Sequence, residues 1–304
     1  MWVKFNDWYN QVVEVPKIFG LNHILFICAA IALTIFLLFV FQSASRNVVR
    51  GAIIFVWIFI FLSELIFRQF GQIAWMKVHD GAKYNLAYVP VQIVSLYFWV
   101  LPFYFFIPNK KWEAAMLPFI GISGLTIGAI LLVYPAVVFS NNTPNNVYYM
   151  FQSALTFSLG CYLILKGKLP LRSWRTYVYH IVFMVSIFVA AVILNEVVYA
   201  ATSNEAVHRG INFMYLSHRV KPLPYYKDMV DLKIITDTKE NARLFVTAFV
   251  LGLVILPIAP YMLFFILFRP FVKAIDDVIA SSAKSEKDKA NSKNEDVELK
   301  KAMA

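Results

Sequence analysis

Cysteine and charge are what this chain has least of. Only Cys28 and Cys161 occur among 304 residues, and both lie inside long apolar runs, which argues against a disulfide framework. Each is expected to serve as a small packing residue. Charged residues make up 15% of the chain and hydrophobic residues 60%, with a mean hydropathy of +0.64. These values fall outside the range of a soluble globular domain and indicate a polytopic membrane protein.

Long apolar runs dominate what is present. A run of about 20 residues is needed to cross the hydrocarbon core of a bilayer. Seven runs reach that length, at residues 20–41, 51–75, 85–107, 113–138, 146–166, 175–200 and 244–268. The first 20 residues lack a basic region followed by an apolar region and a cleavage site, so we expect the first helix to be retained. The sequence therefore predicts an all-α membrane helical bundle of about seven transmembrane helices.

The distribution of basic residues predicts the topology. Lys and Arg cluster after the first, third and fifth runs, and the positive-inside rule places those connections in the cytoplasm. We therefore expect a multi-pass protein of the cell membrane, with its N-terminus outside and its C-terminus inside. The net charge of +10 is then mostly an anchoring signal, and no basic groove with interleaved aromatic residues indicates nucleic acid. Membrane lipids are the expected partners, no cofactor or metal is predicted, and the oligomeric state stays open.

Three regions are predicted along the chain. Residues 1–19 carry aromatic and apolar side chains at helical spacing among polar ones, which predicts an amphipathic interfacial helix. Residues 20–269 form the seven-span membrane domain, with an outer connection at 201–243. Residues 270–304 are predicted to be a cytoplasmic, mostly disordered tail. From Ser281 onward this segment has mixed charge and no apolar periodicity. Pro257 and Pro260 are expected to kink the last span.

The most informative pair in the sequence is Glu64 and Arg68, within the second apolar run. An ionisable side chain at the centre of a bilayer costs roughly 2.5–3.5 kcal/mol on insertion scales, so it is expected to face protein or a wet cavity. The i, i+4 spacing places both charges on one helical face, and Gln72 extends that face. Two interpretations are open: a structural ion pair that ties helices together, and part of a functional site.

Other polar residues fall at a similar depth, in the predicted outer halves of several spans. We expect them to line an outward-facing polar cavity. With Glu64, these residues are His23, Arg68, Gln72, Tyr88, Gln92, Ser95, Tyr149, Gln152, Thr156, Asn195, Glu196 and Tyr199.

Four sequence segments resemble those of YwaF-type seven-span integral membrane proteins. The segments are FGLNHILFI from Phe19, VPVQIVSLYFWVLP from Val89, FQSALTFSLG from Phe151 and INFMYLSHRVKPLP from Ile211. The resemblance covers nearly the whole chain, and the family's topology agrees with the one predicted from charge. A distant animal relative of this family is an acyltransferase that moves fatty acyl chains between phospholipids. The resemblance therefore implies a lipid- or acyl-handling protein, and it adds His218 to the candidate residues.

The chain departs from the family pattern at the positions that would carry cysteine-type catalysis. Gln92 and Val94 stand where the third-span motif carries a histidine and a cysteine, and Gln152 stands where the fifth-span motif carries a histidine. Glutamine is no general base at neutral pH, and valine cannot be acylated. What remains is an enzyme with His23 or Glu64 as the acid/base and Ser95 as the nucleophile. Arg68 would then bind an anionic headgroup.

Two other classes of function stay open at this stage. A transporter or a lipid- or small-molecule-binding protein would use the Glu64/Arg68 pair as a titrating or opening element. The sequence shows no internal repeat of the kind that many transporters carry. Seven spans with an external N-terminus also permit a receptor, although topology alone argues no function. A retinal protein is disfavoured, because the seventh run has no lysine for a Schiff base.

Overall fold

A computed structural model describes most of the chain. The described residues are 1–43, 45–79, 83–85, 88–107, 109–135, 139–169, 173–202, 211–217, 225–255, 262–263 and 265–281. Within these ranges the regular structure is helical, and the one extended pairing is an isolated bridge between Val12 and Asn142. The helices are α1 (Trp2–Tyr9), α2 (Leu21–Val40), α3 (Arg46–Glu64), α4 (Phe70–Val78), α5 (Leu96–Phe106), α6 (Lys110–Val133), α7 (Thr143–Leu165), α8 (Trp174–Ala201), α9 (Tyr225–Asp231), α10 (Lys239–Ile255) and α11 (265–281).

Five helices among the described residues are long and apolar enough to cross a membrane. They are α2, the continuous helix Arg46–Val78 that contains α3 and α4, α6, α7 and α8. All five coincide with predicted spans, so the all-helical fold and the membrane character agree with the sequence analysis.

The third predicted span is shorter than expected. The helix begins with a 3-10 turn at Ile93–Ser95 and continues as α5 to Phe106, instead of starting near residue 85. Pro90 lacks a backbone N–H and disfavours a helical conformation at the residue before it. The backbone of Gln92 is extended, with φ −81° and ψ 161°. In an unbroken helix, Gln92 and Ser95 would lie on one face. Because Gln92 is extended, they do not share a helical face here.

In the region of the seventh predicted span, helix is described for Lys239–Ile255 and for residues 262–263 and 265–281. The predicted kinks at Pro257 and Pro260 lie outside the described residues. α11 extends to residue 281, so the first 12 residues of the segment assigned to a disordered tail, 270–281, are helical. Residues 282–304 lie outside the described part of the chain.

The core of the bundle is the crossing of α6 and α7. Gly160 of α7 lies against the backbone of α6, where an added Cβ would be 2.3 Å from the Leu125 nitrogen and 2.9 Å from the Gly121 oxygen. Glycine is required here because it lets two helix backbones approach closely. Around this crossing, Cys161 packs with apolar residues, whereas Cys28 is exposed on α2. The packing role expected of Cys28 is therefore wrong.

Basic residues gather at one end of the bundle, where α3 and α6 begin and α7 ends. Arg46, at the start of α3, forms a bidentate pair with Glu113 of α6, with nitrogen–oxygen distances of 2.5 and 2.6 Å. Lys166, at the end of α7, binds Asp276 of α11 at 2.6 Å. These contacts fix the helix ends opposite to the candidate site.

The N-terminal helix is shorter than predicted. α1 ends at Tyr9, and residues 10–20 are not helical. Val13, within the segment predicted to be helical, instead donates its backbone N–H to the Asn141 carbonyl at 2.9 Å. α1 packs against α4 with the side chains of Asn6 and Tyr9 buried.

Candidate functional site

Glu64 lies where the second long helix changes its winding. Residues Leu65–Gln69 form a π-turn between α3 and α4, and the Phe70 N–H binds the Leu65 carbonyl. In an α-helix, Gln69 would lie about 140° around the axis from Glu64. The π-turn reduces that angle, and Gln69 Nε2 donates to Glu64 Oε1 at 2.7 Å. Tyr84 Oη in turn donates to Gln69 Oε1 at 2.9 Å.

Glu64 and Ser95, both predicted as catalytic residues, are joined by Tyr148. Tyr148 Oη donates to Glu64 Oε2 at 2.6 Å, and it lies 2.8 Å from Ser95 Oγ. Since the single hydroxyl proton of Tyr148 points to Glu64, its oxygen accepts the proton of Ser95. All three side chains are buried. Both carboxylate oxygens of Glu64 thus accept hydrogen bonds.

Arg68 lies among tyrosine rings on the same helix as Glu64. Its Cζ is 5.0 Å from the centroid of Tyr148, 5.4 Å from that of Tyr88 and 5.9 Å from that of Tyr149. The side chain is 2% exposed. Cation–π contacts of this kind are worth more when they are desolvated. The rings therefore stabilise a buried guanidinium next to Glu64.

A short segment, residues 211–217, packs over the Arg68 side of this cluster. Asn195 of α8 holds it through two hydrogen bonds with the backbone of Phe213, at 2.9 and 3.1 Å. The Met214 N–H binds the Val91 carbonyl at 3.2 Å. Burial raises the pKa of Tyr215 above its ordinary value. Its neighbour Tyr149 raises this pKa further, whereas Arg68 lowers it. We call residues 211–217 the cover segment.

The cover segment contains unusual backbone angles. Met214 and Tyr215 have φ values of 53° and 60°, in the left-handed region that non-glycine residues rarely adopt. Such conformations cost about 1–3 kcal/mol each and are concentrated at ligand clamps and active sites.

Three predicted glutamines occupy different parts of the cluster. Gln152 Nε2 donates to Ser63 Oγ at 2.8 Å and to the Ile60 carbonyl at 3.1 Å, which ties α7 to α3. Gln92 Oε1 accepts from Tyr149 Oη at 2.6 Å. Gln72 is buried, and its Nε2 has no hydrogen-bond partner among the described residues. A buried donor without a partner costs about 1–3 kcal/mol, so Gln72 is a candidate to bind a ligand.

His23 is not joined to Ser95 or Glu64 by any hydrogen bond in the described part of the chain. Its Nδ1 accepts from the Phe19 N–H at 2.8 Å, and its Nε2 lies 2.5 Å from the Leu132 carbonyl. The first bond requires an unprotonated Nδ1, so Nε2 carries the proton and donates to the carbonyl. His23 thus ties the start of α2 to the end of α6, and both ring nitrogens are engaged by backbone.

The last two predicted residues are less informative. Glu196 is half-buried and follows Asn195 on α8, so it projects about 100° away from Asn195 around the helix axis. His218 lies outside the described residues.

The sequence analysis missed two residues of the cluster, Tyr148 and Gln69. Tyr148 carried a usable signal, because it stands four residues before Gln152 and therefore shares its helical face. Gln69 carried none, since only the π-turn brings it to Glu64. Among the described residues, no group of three His, Cys, Asp or Glu side chains is close enough to hold a metal ion.

The class of protein defined here is an all-helical membrane protein with a buried Glu–Tyr–Ser and Arg–Tyr cluster. Comparisons of the chain with protein-family models, with curated proteins and with solved structures find no match.

Proposed function

We propose that this protein binds the anionic headgroup of a lipid or acyl ligand at Arg68. The observation that carries the proposal is a buried guanidinium surrounded by three tyrosine rings. Arginine presents planar, charged N–H donors that match the oxygens of a carboxylate or a phosphate. The unsatisfied amide nitrogen of Gln72, one turn further on, supplies a second donor on the same side of the helix.

The cover segment supports a site that opens. Met214 and Tyr215 hold backbone conformations that non-glycine residues rarely adopt. Asn195 and the Val91 carbonyl hold this segment, and such a segment is a suitable element to admit a ligand and close over it.

Membership of the YwaF-type family and the predicted topology belong to the same proposal. Parts of the second and fourth motifs meet at the site, where Met214 binds Val91, and the third motif contributes Gln152. Basic residues at the opposite end of the bundle, such as Arg46 and Lys166, support a cytoplasmic location for that end. In this orientation the Arg68 cluster faces outwards, in a seven-span protein of the cell membrane whose partners are lipids.

Calorimetric titration tests the headgroup proposal. Oleate, lysophosphatidylglycerol and lysophosphatidylcholine would be titrated into the purified protein in uncharged detergent micelles. The first two ligands distinguish a carboxylate from a phosphodiester, and the third is a zwitterionic control. We expect one anionic ligand to bind, and Arg68→Gln to weaken its binding about 10- to 100-fold, as for a lost charge-assisted hydrogen bond.

Two further variants make this result specific. Arg175→Gln removes the same charge from an exposed position at the far end of the bundle and should leave the affinity unchanged. Gln72→Leu removes an unsatisfied buried donor, so stability should be kept or raised while affinity falls. Equal affinities of wild type, Arg68→Gln and Gln72→Leu would refute the proposal.

A second candidate function is acyl transfer, and the Ser95–Tyr148–Glu64 hydrogen-bond chain favours it. In this mechanism Ser95 Oγ attacks the acyl carbonyl of a lipid ester. Its proton passes to Tyr148 as the proton of Tyr148 passes to Glu64. The ester C–O bond then breaks, and the departing alkoxide takes the proton back along the same chain. An acceptor hydroxyl reverses these steps and releases Ser95.

Lipid analysis tests the transferase. The wild type, Ser95→Ala and Glu64→Gln would be reconstituted in phospholipid vesicles, and the lipid products would be measured by mass spectrometry. Acyl exchange in the wild type that disappears in both variants would establish the transferase. Unchanged lipids in the presence of folded wild-type protein would refute it and leave headgroup binding as the function.

A further inference from the structure

The π-turn that brings Gln69 to Glu64 is in contact with the N-terminal helix. Tyr9 Oη donates to the Phe67 carbonyl, inside the turn, at 2.5 Å. A π-turn perturbs the regular backbone ladder of a helix, and such turns recur at functional sites. A side-chain donor on one of its carbonyls therefore stabilises the altered winding.

The second long helix has a space shaped for the Tyr9 ring. A Cβ added to Gly71 would lie 2.2 Å from ring atoms of Tyr9, so only glycine permits this contact. Tyr9 is 2% exposed, although it ends a helix of only eight residues near the N-terminus. Burial raises the pKa of Tyr9, and the hydroxyl of Tyr88, one of the three rings around Arg68, raises it further.

The same residue is tied to the helix that carries the other two rings. Asn142 Nδ2 donates to the Tyr9 carbonyl at 2.7 Å, while Asn142 Oδ1 caps the start of α7 by accepting from the Asn145 N–H at 2.9 Å. Tyr148 and Tyr149 follow on α7 within the next two turns. Tyr9 thus links the helix of Glu64 and Arg68 to the helix of the tyrosines.

We propose that Tyr9 is a positioning residue for the Arg68 site, through its hydrogen bond to the π-turn. α1 is then a component of the binding site in addition to any contact that it makes with the membrane surface. This inference rests on the proposed binding of an anionic headgroup at Arg68.

The test compares Tyr9→Phe with Tyr162→Phe. Each substitution removes one hydroxyl that donates to a backbone carbonyl, and Tyr162 does so to Phe41 at 3.2 Å, at the opposite end of the bundle. Two quantities would be measured on each protein in micelles: the affinity for oleate and lysophosphatidylglycerol, and hydrogen–deuterium exchange in peptides covering Leu65–Gln69.

We expect Tyr9→Phe to weaken binding about five- to tenfold and to speed exchange in the π-turn, with neither effect in Tyr162→Phe. Faster exchange without a change in affinity would reduce Tyr9 to a structural residue and overturn the proposal, as would unchanged exchange. If the wild type binds neither amphiphile, the headgroup proposal has failed. The exchange data would still decide whether Tyr9 holds the π-turn.

Discussion

Replacing Tyr148 by phenylalanine separates the two candidate functions, because it removes one hydroxyl and keeps the ring. The hydroxyl joins Ser95 to Glu64, and the ring lies 5.0 Å from Cζ of Arg68. The proposed headgroup binding would depend on the ring, whereas the proposed proton transfer from Ser95 to Glu64 would depend on the hydroxyl. The same variant therefore affects the two functions differently.

The cost of this substitution in stability follows from the two bonds that are lost. A hydrogen bond to a charged group contributes about 1.5–3 kcal/mol, and one between neutral groups about 0.5–1.5 kcal/mol. Tyr148→Phe loses one of each in a buried site, so the free energy of unfolding should fall by about 2–4.5 kcal/mol. Tyr162→Phe loses a single neutral bond of 3.2 Å and should cost about 0.5–1.5 kcal/mol.

Three measurements on Tyr148→Phe decide the matter. Equilibrium unfolding in mixed detergent micelles gives the stability relative to Tyr162→Phe, calorimetry gives the affinity for the anionic amphiphile, and mass spectrometry gives acyl exchange. We expect a larger loss of stability than in the control, an affinity within a few-fold of wild type, and no acyl exchange. Equal stabilities of the two variants would refute the hydrogen-bond chain from Ser95 to Glu64.

Three further substitutions have defined outcomes. His23→Ala should lower the free energy of unfolding by about 2–4 kcal/mol, because it leaves the Leu132 carbonyl buried and unpaired. The proposed headgroup binding and acyl transfer, measured per folded molecule, should be unchanged. Loss of either in folded protein would contradict this. Asn195→Ala removes the side chain that holds the cover segment, so limited proteolysis at residues 211–217 should be faster and headgroup binding weaker. Unchanged cleavage would show that Asn195 does not hold the cover segment. Gly160→Ala forces a Cβ against α6 backbone and should cost about 1–3 kcal/mol in thermal unfolding assays, whereas Gly51→Ala, whose nearest neighbour would be 3.6 Å away, should be neutral or stabilising.

Hydropathy was sufficient to predict the long helices. The run at 20–41 corresponds to Leu21–Val40, and the run at 175–200 corresponds to Trp174–Ala201, because a continuous apolar stretch bounded by polar residues defines both ends of a span. For the third run, hydropathy did not predict where the helix begins. Its residues are as apolar as those of the other spans, but Pro90 and the pairing of Val91 with Met214 keep the segment extended.

The candidate site was predictable only where helical periodicity holds. Glu64, Arg68 and Gln72 could be placed together from their spacing, and Ser95 from its depth. The contact of Gln69 with Glu64 could not be predicted, since a π-turn has no sequence signature in this chain and changes the direction that periodicity assigns to the side chain. The partners of His23 could not be predicted for a different reason: both are backbone groups, which composition does not reveal.

Whether the Glu64/Arg68 pair is structural or functional can be argued from what surrounds it. A structural ion pair in a bundle needs hydrogen bonds that satisfy both charges, and Tyr148 and Gln69 already provide them for Glu64. Such a pair does not explain Gln72, a buried amide donor on the same helix without a partner among the described residues. Nor does it require Met214, at the centre of the cover segment, to adopt a left-handed conformation that costs about 1–3 kcal/mol. A ligand bound by Gln72 would account for the first cost, and a ligand bound beneath the cover segment would account for the second, which favours the functional interpretation.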